Sequence, residues 1–395
     1  MLHRNAVSKL KELAKGFPIL GVVGPRQSGK TTLVQETFPD YDYLSLEDLD
    51  VREEAREDPR GFLQRQKGGF ILDEVQHVPE LFNYLQTYVD AEKKLGQVIV
   101  TGSQDFTLME NISQSLAGRV GLLTLLPFCW DELSSQAIHK AKLDEVLFTG
   151  GYPPIYDRHV SPVDWYSRYV QTYIDRDVRL LRNIGNLALF QRFVKLCAGR
   201  IGQLINFNSL ATDCGVDAKT IQSWVSILEA SYLIILLRPH HRNFNKRLVK
   251  QAKLYFVDTG VACSLLEIET ADQLSSHYLR GGLFENWVVV ERLKQRLNAG
   301  LPSNLYFWRD HTGHEIDLIE EHASDLSAWE IKSGATLHED SFKGLKWFSN
   351  LIKQPDPELK LVYGGERPSI RQNIQIIPWR QIYRVAPDSK AASEV

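Results

Sequence analysis

The sequence has few of the features that would place it outside the ordinary globular proteins. Its four cysteines are scattered, without the spacing of a zinc site or of a disulfide framework. No apolar run is long enough to span a bilayer, and residues 1–15 are charged and amphipathic, unlike a secretory signal. The net charge of −3 excludes a polyanion binder that works by bulk charge. We therefore expect a cytoplasmic protein without a membrane partner, in which any affinity for nucleic acid needs a local basic patch.

The remaining composition is typical of a chain with several globular domains. Apolar residues make up 43% and charged residues 24% of the 395 positions, a length that one hydrophobic core does not normally serve. The predicted fold class is α/β, with a parallel-sheet domain first, a winged-helix-like region in the middle and a small mixed α/β domain last. The predicted limits are 1–135 for the sheet domain, 136–195 for a helical region, 196–262 for the winged helix, 263–386 for the last domain and 387–395 for a disordered tail.

The most informative segment is a glycine-rich loop that follows the apolar run Ile19–Val23 and fits G-x-x-x-x-G-K-[ST]. The backbone N–H groups of such a loop hold a phosphate, its lysine reaches the β- and γ-phosphates, and its threonine offers a hydroxyl to Mg²⁺. The sequence therefore predicts a nucleoside triphosphate site at a helix start. The predicted binding residues are Gly24, Pro25, Arg26, Gln27, Ser28, Gly29, Lys30, Thr31 and Thr32.

Acidic residues follow a second buried strand, Phe70–Leu72, which ends in Asp73 and Glu74. At the carboxyl end of a strand, Asp73 would hold Mg²⁺ together with Thr31, and Glu74 would deprotonate the attacking water. The alternative is that the pair simply caps the strand and opens the helix that follows.

Two further candidates for the reaction lie downstream, besides Lys30 itself. Ser103 or Gln104 follows the strand Gln97–Thr101 and could position the water, although Gly-Ser also favours a simple turn. Arg119 is a candidate for an arginine that stabilises the transition state, with a surface ion pair as the alternative.

The segments GPRQSGKTTL, FILDEVQ, VTGS and SLAGR resemble a bacterial and archaeal family of AAA+-like ATPases. In that family the P-loop module precedes a C-terminal domain of uncharacterised function with a restriction-endonuclease-like fold, and the resemblance covers nearly the whole chain. It implies ATP as the nucleotide and a homo-oligomer in which a neighbour's arginine completes the site. Arg119 and Arg176 are the matching arginines, and their roles within or between subunits stay open.

A helix-turn-helix pattern occupies the middle of the chain, with a short helix from Asn206, a turn at Gly215 and a second helix capped by Asp217. The segment Arg238–Lys253 that follows an apolar strand has six Lys or Arg and no acid. This pattern predicts a winged helix that contacts DNA, with a structural or oligomerisation arm as the alternative. The predicted phosphate contacts are Arg238, Arg242, Lys246, Arg247 and Lys250.

Four residues in the last domain resemble the D…(D/E)-x-K constellation of restriction-endonuclease-like nucleases. They are Glu285 on a helix, Asp317 on one strand, and Glu330 and Lys332 on the next. The carboxylates could bind Mg²⁺, and the lysine could lower the pKa of a water. Charged pairs that form a surface ladder, or an acidic cluster kept only for substrate or subunit contact, are the alternatives.

The leading function is thus a Mg²⁺-dependent ATPase that acts on nucleic acid. The second hypothesis is an ATP-dependent regulatory switch whose C-terminal domain binds a protein partner without cutting DNA. An ATP-gated nuclease is the third.

Overall fold

A computed structural model describes residues 2–103, 116–133, 140–172, 184, 186–240, 250–322, 325–352 and 357–385. The chain divides into two compact units. The first comprises Met1–Phe128, Ala230–Tyr232 and Arg296–Pro302, and the second comprises Cys129–Glu229, Leu233–Gln295 and Ser303–Val395.

The first unit alternates strands with helices. Its strands are β1 (Ile19–Gly24), β2 (Asp42–Ser45), β3 (Phe70–Asp73), β4 (Val98–Ser103) and β5 (Val120–Thr124). Its helices are α1 (Ala6–Ala14), α2 (Lys30–Thr37), α3 (Leu49–Glu57), α4 (Pro59–Gln64) and α5 (Leu81–Glu92), with a 3₁₀ helix at Val75–His77.

These strands form the parallel sheet that the sequence predicts, and the structure gives their order as β2-β3-β4-β1-β5. All residues of β1 and β3 are buried, because helices cover both faces of the sheet. Alternation along β1 places Ile19 and Val23 in one core and Leu20 and Val22 in the other. Since the strands are parallel, the residues that follow β1, β3 and β4 meet at one edge of the sheet.

The second unit begins with helices and ends with a mixed sheet. Its helices are α6 (Leu143–Thr149), α7 (Pro153–Asp157), α8 (Pro162–Thr172), α9 (Leu187–Ala198), α10 (Phe207–Cys214), α11 (Ala218–Ala230), α12 (Thr259–Leu265), α13 (Ala271–Leu274), α14 (Arg280–Asn298) and α15 (Lys343–Leu351). Its strands are β6 (Ile234–Pro239), β7 (Lys253–Phe256), β8 (Leu305–Arg309), β9 (Glu315–His322), β10 (Asp325–Lys332), β11 (Glu358–Tyr363), β12 (Ser369–Arg371) and β13 (Ile374–Pro378), and 3₁₀ helices span Glu339–Phe342 and Trp379–Arg384.

Within the described ranges, the sheet of the second unit has eight strands in the order β12-β13-β11-β10-β9-β8-β6-β7. Strands β8, β9 and β10 are antiparallel neighbours, whereas β10, β11 and β13 run parallel. Strand β6 pairs with β8 through Arg238 and Pro239. The two strands predicted to end a separate winged-helix domain, 196–262, therefore lie in the same sheet as the strands predicted for the domain 263–386.

Helix α14 is fixed against β7 by hydrogen bonds rather than by apolar packing alone. The Asn286 side chain accepts from the backbone N–H of Phe256 at 2.6 Å and donates to its carbonyl oxygen at 2.8 Å. Because a buried amide satisfied at both ends sets the helix position closely, residue Glu285 is held beside β7.

Candidate functional site

The loop between β1 and α2 has the backbone conformation that the glycine pattern predicts. Gly24 and Gly29 have φ values of +150° and +92°, and Gln27 has a φ of +59°. A Cβ atom on Gly24 would lie 2.1 Å from the carbonyl oxygen of Leu125, so no other residue fits there without a shift of the backbone. Positive φ values in this loop curl the backbone into the shape that presents N–H groups to an anion.

Lys30 is the first residue of α2 and is buried. Its Nζ donates to the carbonyl oxygens of Gly24 at 3.0 Å and Pro25 at 2.9 Å, within its own loop. Burial lowers the pKa of Lys30, and the charges of Glu74 and Asp73 oppose that shift. A buried cation at a helix start, next to a curled loop, fits a site for phosphate oxygens.

Other loop residues support the same interpretation. Ser28 Oγ is buried and makes no hydrogen bond with any residue that the structure describes. A buried hydroxyl of this kind is costly, because it has lost its hydrogen bonds to water and has not replaced them with hydrogen bonds to protein. Arg26 and Thr32 are half-buried at the two ends of the turn.

Asp73 ends β3 and accepts hydrogen bonds from three hydroxyl groups. Thr31 Oγ1 lies 3.0 Å from Oδ1 and 3.1 Å from Oδ2, the Tyr43 hydroxyl lies 2.8 Å from Oδ2, and Thr101 Oγ1 donates to Oδ1. The predicted pair of Thr31 and Asp73 is therefore brought together. Tyr43 and Thr101 were not predicted, although both stand on strands that flank β3.

Glu74 follows with a left-handed backbone, at a φ of +54°. Its Oε2 accepts from Gln76 Nε2, from the Ser103 backbone at 3.4 Å and from Ser103 Oγ at 3.3 Å. Burial alone would raise the pKa of Glu74, but the Lys30 charge and these hydrogen bonds outweigh it and lower the pKa. Glu74 is therefore a carboxylate at neutral pH, in the protonation state that a general base needs.

Ser103 is the last residue of β4 rather than part of a turn, and it contacts both Glu74 and Gln76. Gln76 was not predicted; its place two residues after Glu74, in a 3₁₀ helix, gives no periodic signal in the sequence. Gln104, the other predicted candidate at this strand end, lies outside the described residues.

Arg119 lies at the opposite edge of the sheet. It precedes β5, and its carbonyl oxygen accepts from the N–H of Ile19 at the amino end of β1. Strand β1 separates this edge from the loop by about 16 Å at roughly 3.3 Å per residue, which exceeds the reach of an arginine side chain. Arg119 forms the ion pair that was the alternative, with Nε 2.7 Å from Asp90 Oδ1. Arg119 therefore lies too far from the loop to contact phosphates bound there in the same subunit, and Arg176 lies outside the described residues.

In the second unit, α10 and α11 follow the predicted helix-turn-helix pattern. Asn206 caps α10 by accepting from the N–H of Ser209, Gly215 turns the chain at a φ of +73°, and Asp217 accepts from the N–H of Thr220 at 2.9 Å. Helix α11 buries an apolar face and exposes a polar one. Its exposed residues include Lys219, Gln222, Ser223 and Ser226.

The basic segment after β6 is described only at its ends. Arg238 and Lys250 are exposed, whereas Arg242, Lys246 and Arg247 lie outside the described residues. Lys253 differs from the expectation for this segment, because it is 2% exposed and cannot meet a phosphate. The reason is that it begins β7 and faces the carboxylates of the same sheet.

The four residues predicted as a nuclease-like constellation come together on β9, β10 and α14. The antiparallel register pairs Trp329 with Leu318, which places Glu330 opposite Asp317. Asp317 Oδ2 accepts from the N–H of Ile331 at 2.8 Å, and Lys332 Nζ donates to Glu330 Oε1 at 2.5 Å.

The structure adds residues to this cluster that the sequence did not predict. Lys253 Nζ lies 2.7 Å from Glu285 Oε1, 2.5 Å from Glu315 Oε1 and 3.9 Å from Asp317 Oδ1. The Tyr255 hydroxyl donates to Glu285 Oε1 at 2.5 Å. Lys253 and Tyr255 alternate on β7, but the long separation from Asp317 in sequence hides their proximity.

Burial and crowding set the charge states in this cluster. Burial raises the pKa of Glu330 to about 8, with Asp317 contributing in the same direction and Lys332 opposing. Burial also raises the pKa of Glu285, while Lys253 lowers it. Among the described residues, no three His, Cys, Asp or Glu side chains are arranged so that they could hold a metal ion.

Comparisons with known proteins assign the first unit to a class. Residues 16–134 match the model of an AAA domain. The parallel sheet and the curled loop agree with this match, which supports an AAA+-like P-loop ATPase domain. Residues 140–272 and 280–382 match two domains of unknown function, DUF8612 and DUF4143, whose descriptions assign no fold or activity.

Two curated proteins are similar over most of the chain. They are the uncharacterized proteins Mb2031c of Mycobacterium bovis and Rv2008c of Mycobacterium tuberculosis. Each is 29% identical over 386 residues, which cover 96% of this chain and 84% of the relative. The similarity therefore extends over both compact units of this chain.

Solved structures resemble the chain more distantly. The Walker-type ATPase PABY2304 of Pyrococcus abyssi matches at a TM-score of 0.42 and 13% identity, with 66% of this chain and 94% of that one covered. AMPPCP-bound DnaA from Aquifex aeolicus matches at a TM-score of 0.27 and 15% identity, with 57% and 85% covered. Similarity at this level carries no argument about function.

A bilayer crossing needs a long apolar helix, and none of the helices in the described ranges meets that requirement.

Proposed function

We propose that this protein is a Mg²⁺-dependent ATP hydrolase. The observation that carries the proposal is the convergence of Lys30, Thr31, Asp73 and Glu74 at the carboxyl edge of one parallel sheet, with Thr31 Oγ1 3.0 Å from Asp73 Oδ1. Phosphoryl transfer requires charge neutralisation and positioning rather than covalent chemistry, and these residues supply both.

The loop residues 24–32 would bind the phosphates. Backbone N–H groups near Gln27 and Gly29, and the hydroxyl of Ser28, are the groups available to hold phosphate oxygens. Lys30 would exchange the carbonyl oxygens of Gly24 and Pro25 for oxygens of the β- and γ-phosphates. The helix start at Lys30 adds its own positive end to this field.

Thr31 and Asp73 fit a divalent ion, because they present a hydroxyl and a carboxylate side by side, the oxygen ligands that Mg²⁺ prefers. When bound, Mg²⁺ would neutralise charge on the phosphate oxygens. Tyr43 and Thr101 hold the Asp73 carboxylate in place by hydrogen bonds to its oxygens. These two residues are positioning residues, since they act through Asp73.

Glu74 would take the proton of the attacking water. Its lowered pKa keeps it charged, and Ser103 and Gln76 orient its Oε2 atom. Because these two residues occupy Oε2, the opposite oxygen of the carboxylate is the one available to a water. Ser103, which the sequence proposed for positioning water, would thus act by orienting the base.

The test is phosphate release from ATP by the full chain, with and without Mg²⁺. Turnover that needs Mg²⁺ and is lost in Lys30→Ala supports the proposal. Turnover that persists in Lys30→Ala places hydrolysis outside this site and contradicts it.

We propose in addition that Arg119 serves the nucleotide of a neighbouring subunit in an oligomer, since at the far edge of the sheet it is out of reach of the phosphates of its own subunit. An arginine supplied by a neighbour is worth about 10³–10⁵ in rate. Mixing two inactive variants tests this: Lys30→Ala subunits keep Arg119, and Arg119→Ala subunits keep the loop. Recovery of ATP turnover on mixing supports a site formed by two subunits. A mixture that stays as inactive as the separate variants contradicts it.

Contact with nucleic acid is a second candidate function, favoured by the polar face of α11 and by the cations that the sequence carries after β6. Charge reversal at Lys246 and Arg247 should weaken duplex binding and reduce its salt dependence, with a log–log slope smaller by about 0.9 per lost phosphate contact. Charge reversal at Lys346, exposed on α15 of the same unit, is the matched control. Salt-insensitive binding, or none, would favour the switch that binds a protein partner.

A further inference from the structure

The carboxylate cluster on β9, β10 and α14 contains its own cation. We propose that Lys253 permanently takes the place of a divalent metal in this cluster, and that the second unit therefore does not cleave nucleic acid. The inference is independent of the proposed ATP hydrolysis, which concerns the first unit.

The position of Lys253 carries the argument. Its ammonium contacts Glu285 and Glu315 at 2.7 and 2.5 Å and lies 3.9 Å from Asp317, so it stands among the carboxylates that a metal would need. A divalent ion at about 2.0–2.6 Å from the same oxygens would overlap the ammonium. Like charge adds to this exclusion, because two cations cannot share one low-dielectric site.

Each carboxylate in the cluster already has partners. Glu285 accepts from Lys253 and Tyr255, and Glu315 pairs with Lys253 and with Arg309 at 3.1 Å. The remaining two carboxylates are held by neighbours on β10. Asp317 accepts from a backbone N–H there, and Glu330 accepts from Lys332.

The surroundings of Glu330 prevent its second carboxylate oxygen from coordinating a metal ion. Its Oε2 atom is buried and has no hydrogen-bond partner among the described residues. A Cβ added at Gly344 would lie 3.1 Å from this oxygen, so the backbone of α15 packs directly against it. An oxygen covered by backbone cannot coordinate a hydrated ion.

The burial of Lys253 makes the arrangement durable. Removal of one partner of a buried ion pair is costly, because it leaves an uncompensated charge, and Lys253 is 2% exposed. Its ammonium is held by two carboxylates at once, Glu285 on α14 and Glu315 on β9, so both ion pairs would have to break to admit an ion. The nuclease-like residues thus form a structural ion cluster.

The experiment measures Mn²⁺ binding by calorimetry to the full chain without nucleotide. Wild type and Lys360→Met, which removes a different buried lysine, should give the same weak binding. Lys253→Met should bind Mn²⁺ at least about tenfold more tightly, because it leaves Glu285 and Glu315 side by side without the cation that both contact. An unchanged affinity in folded Lys253→Met would overturn the proposal.

Wild type supplies a test that does not depend on the folding of a variant. Stoichiometric Mn²⁺ binding by wild type that is lost in Asp317→Asn would overturn the proposal. So would Mg²⁺-dependent nicking of plasmid DNA that is lost in Glu330→Gln. Failure of ATP hydrolysis, by contrast, would leave these outcomes unchanged, so the two proposals fail separately.

Discussion

Replacement of Glu74 by glutamine tests the assignment of the general base. Glutamine keeps the size of the side chain and can still accept from Ser103 and Gln76, but it cannot take a proton. General base catalysis contributes about 10²–10⁴ in rate, or roughly 3–5 kcal/mol of barrier at 1.36 kcal/mol per factor of ten. Because Glu74 is not in the loop that holds phosphates, the dissociation constant for ATP should change little.

The assay has two parts: phosphate release at saturating ATP, and equilibrium binding of a fluorescent ATP analogue. We expect Glu74→Gln to bind nucleotide as wild type does and to turn over at least about a hundredfold more slowly. Glu80→Gln, the same change at a carboxylate that is 51% exposed, should leave both unchanged. Hydrolysis by Glu74→Gln at the wild-type rate would refute the assignment.

Three further predictions concern binding, assembly and stability. Lys30→Ala should weaken ATP binding about tenfold to a hundredfold, as expected for the loss of a charge-assisted hydrogen bond, in the same equilibrium assay. Arg119→Ala should slow ATP turnover without weakening ATP binding. Asp90→Ala frees Arg119 from its ion pair and should not slow turnover. An equal loss of turnover in the two variants would mean that the ion pair has a structural role only. Arg292→Met should cost about 3–5 kcal/mol at pH 7, because it leaves Glu320 buried without its partner. Urea unfolding should show this cost shrinking as the pH falls and Glu320 takes up a proton, and a cost that does not depend on pH would contradict the reasoning.

The sign of that pH dependence follows from Glu320. Burial alone would raise the pKa of this carboxyl, but Arg292, 2.6 Å away, lowers it to about 2 with help from a His322 hydrogen bond and the Lys360 charge. A carboxyl whose pKa is lowered on folding stabilises the fold above its unfolded pKa. That contribution, roughly 3 kcal/mol in wild type, is complete above pH 4.5 and is lost as the pH falls toward 2.

Local patterns predicted the first unit well. The loop that follows β1 and the acids that follow β3 are recognised from their residue types and their spacing in the sequence. Because the strands are parallel, both must lie at the same edge of the sheet. The residues missed at this edge, Tyr43, Gln76 and Thr101, are single polar side chains without a distinctive neighbour pattern. The strand order that places β2 and β4 on either side of β3 is needed to find them.

The position of Arg119 illustrates a second limit. The segment around Arg119 resembles a family motif, but the motif does not predict at which end of the strands the arginine lies. The parallel register of β1 and β5 decides the matter, since it puts Arg119 at the amino end and the loop at the carboxyl end.

The second unit was predicted less completely because its contacts are distant in sequence. The period of two along β10 correctly paired Glu330 with Lys332, and the neighbouring strand supplied Asp317. Lys253 was placed with the exposed cations of a basic segment, since composition does not tell a buried lysine from a solvated one. It is buried because it begins β7 and its ammonium lies against Glu285 and Glu315.

The most direct test of the central claim is an equilibrium titration of MgATP into the full chain carrying Glu74→Gln, with and without Lys30→Ala. The account predicts saturable binding of one nucleotide per chain in the single variant and a much weaker isotherm in the double variant. No heat in the single variant, or identical isotherms for the two, would contradict it.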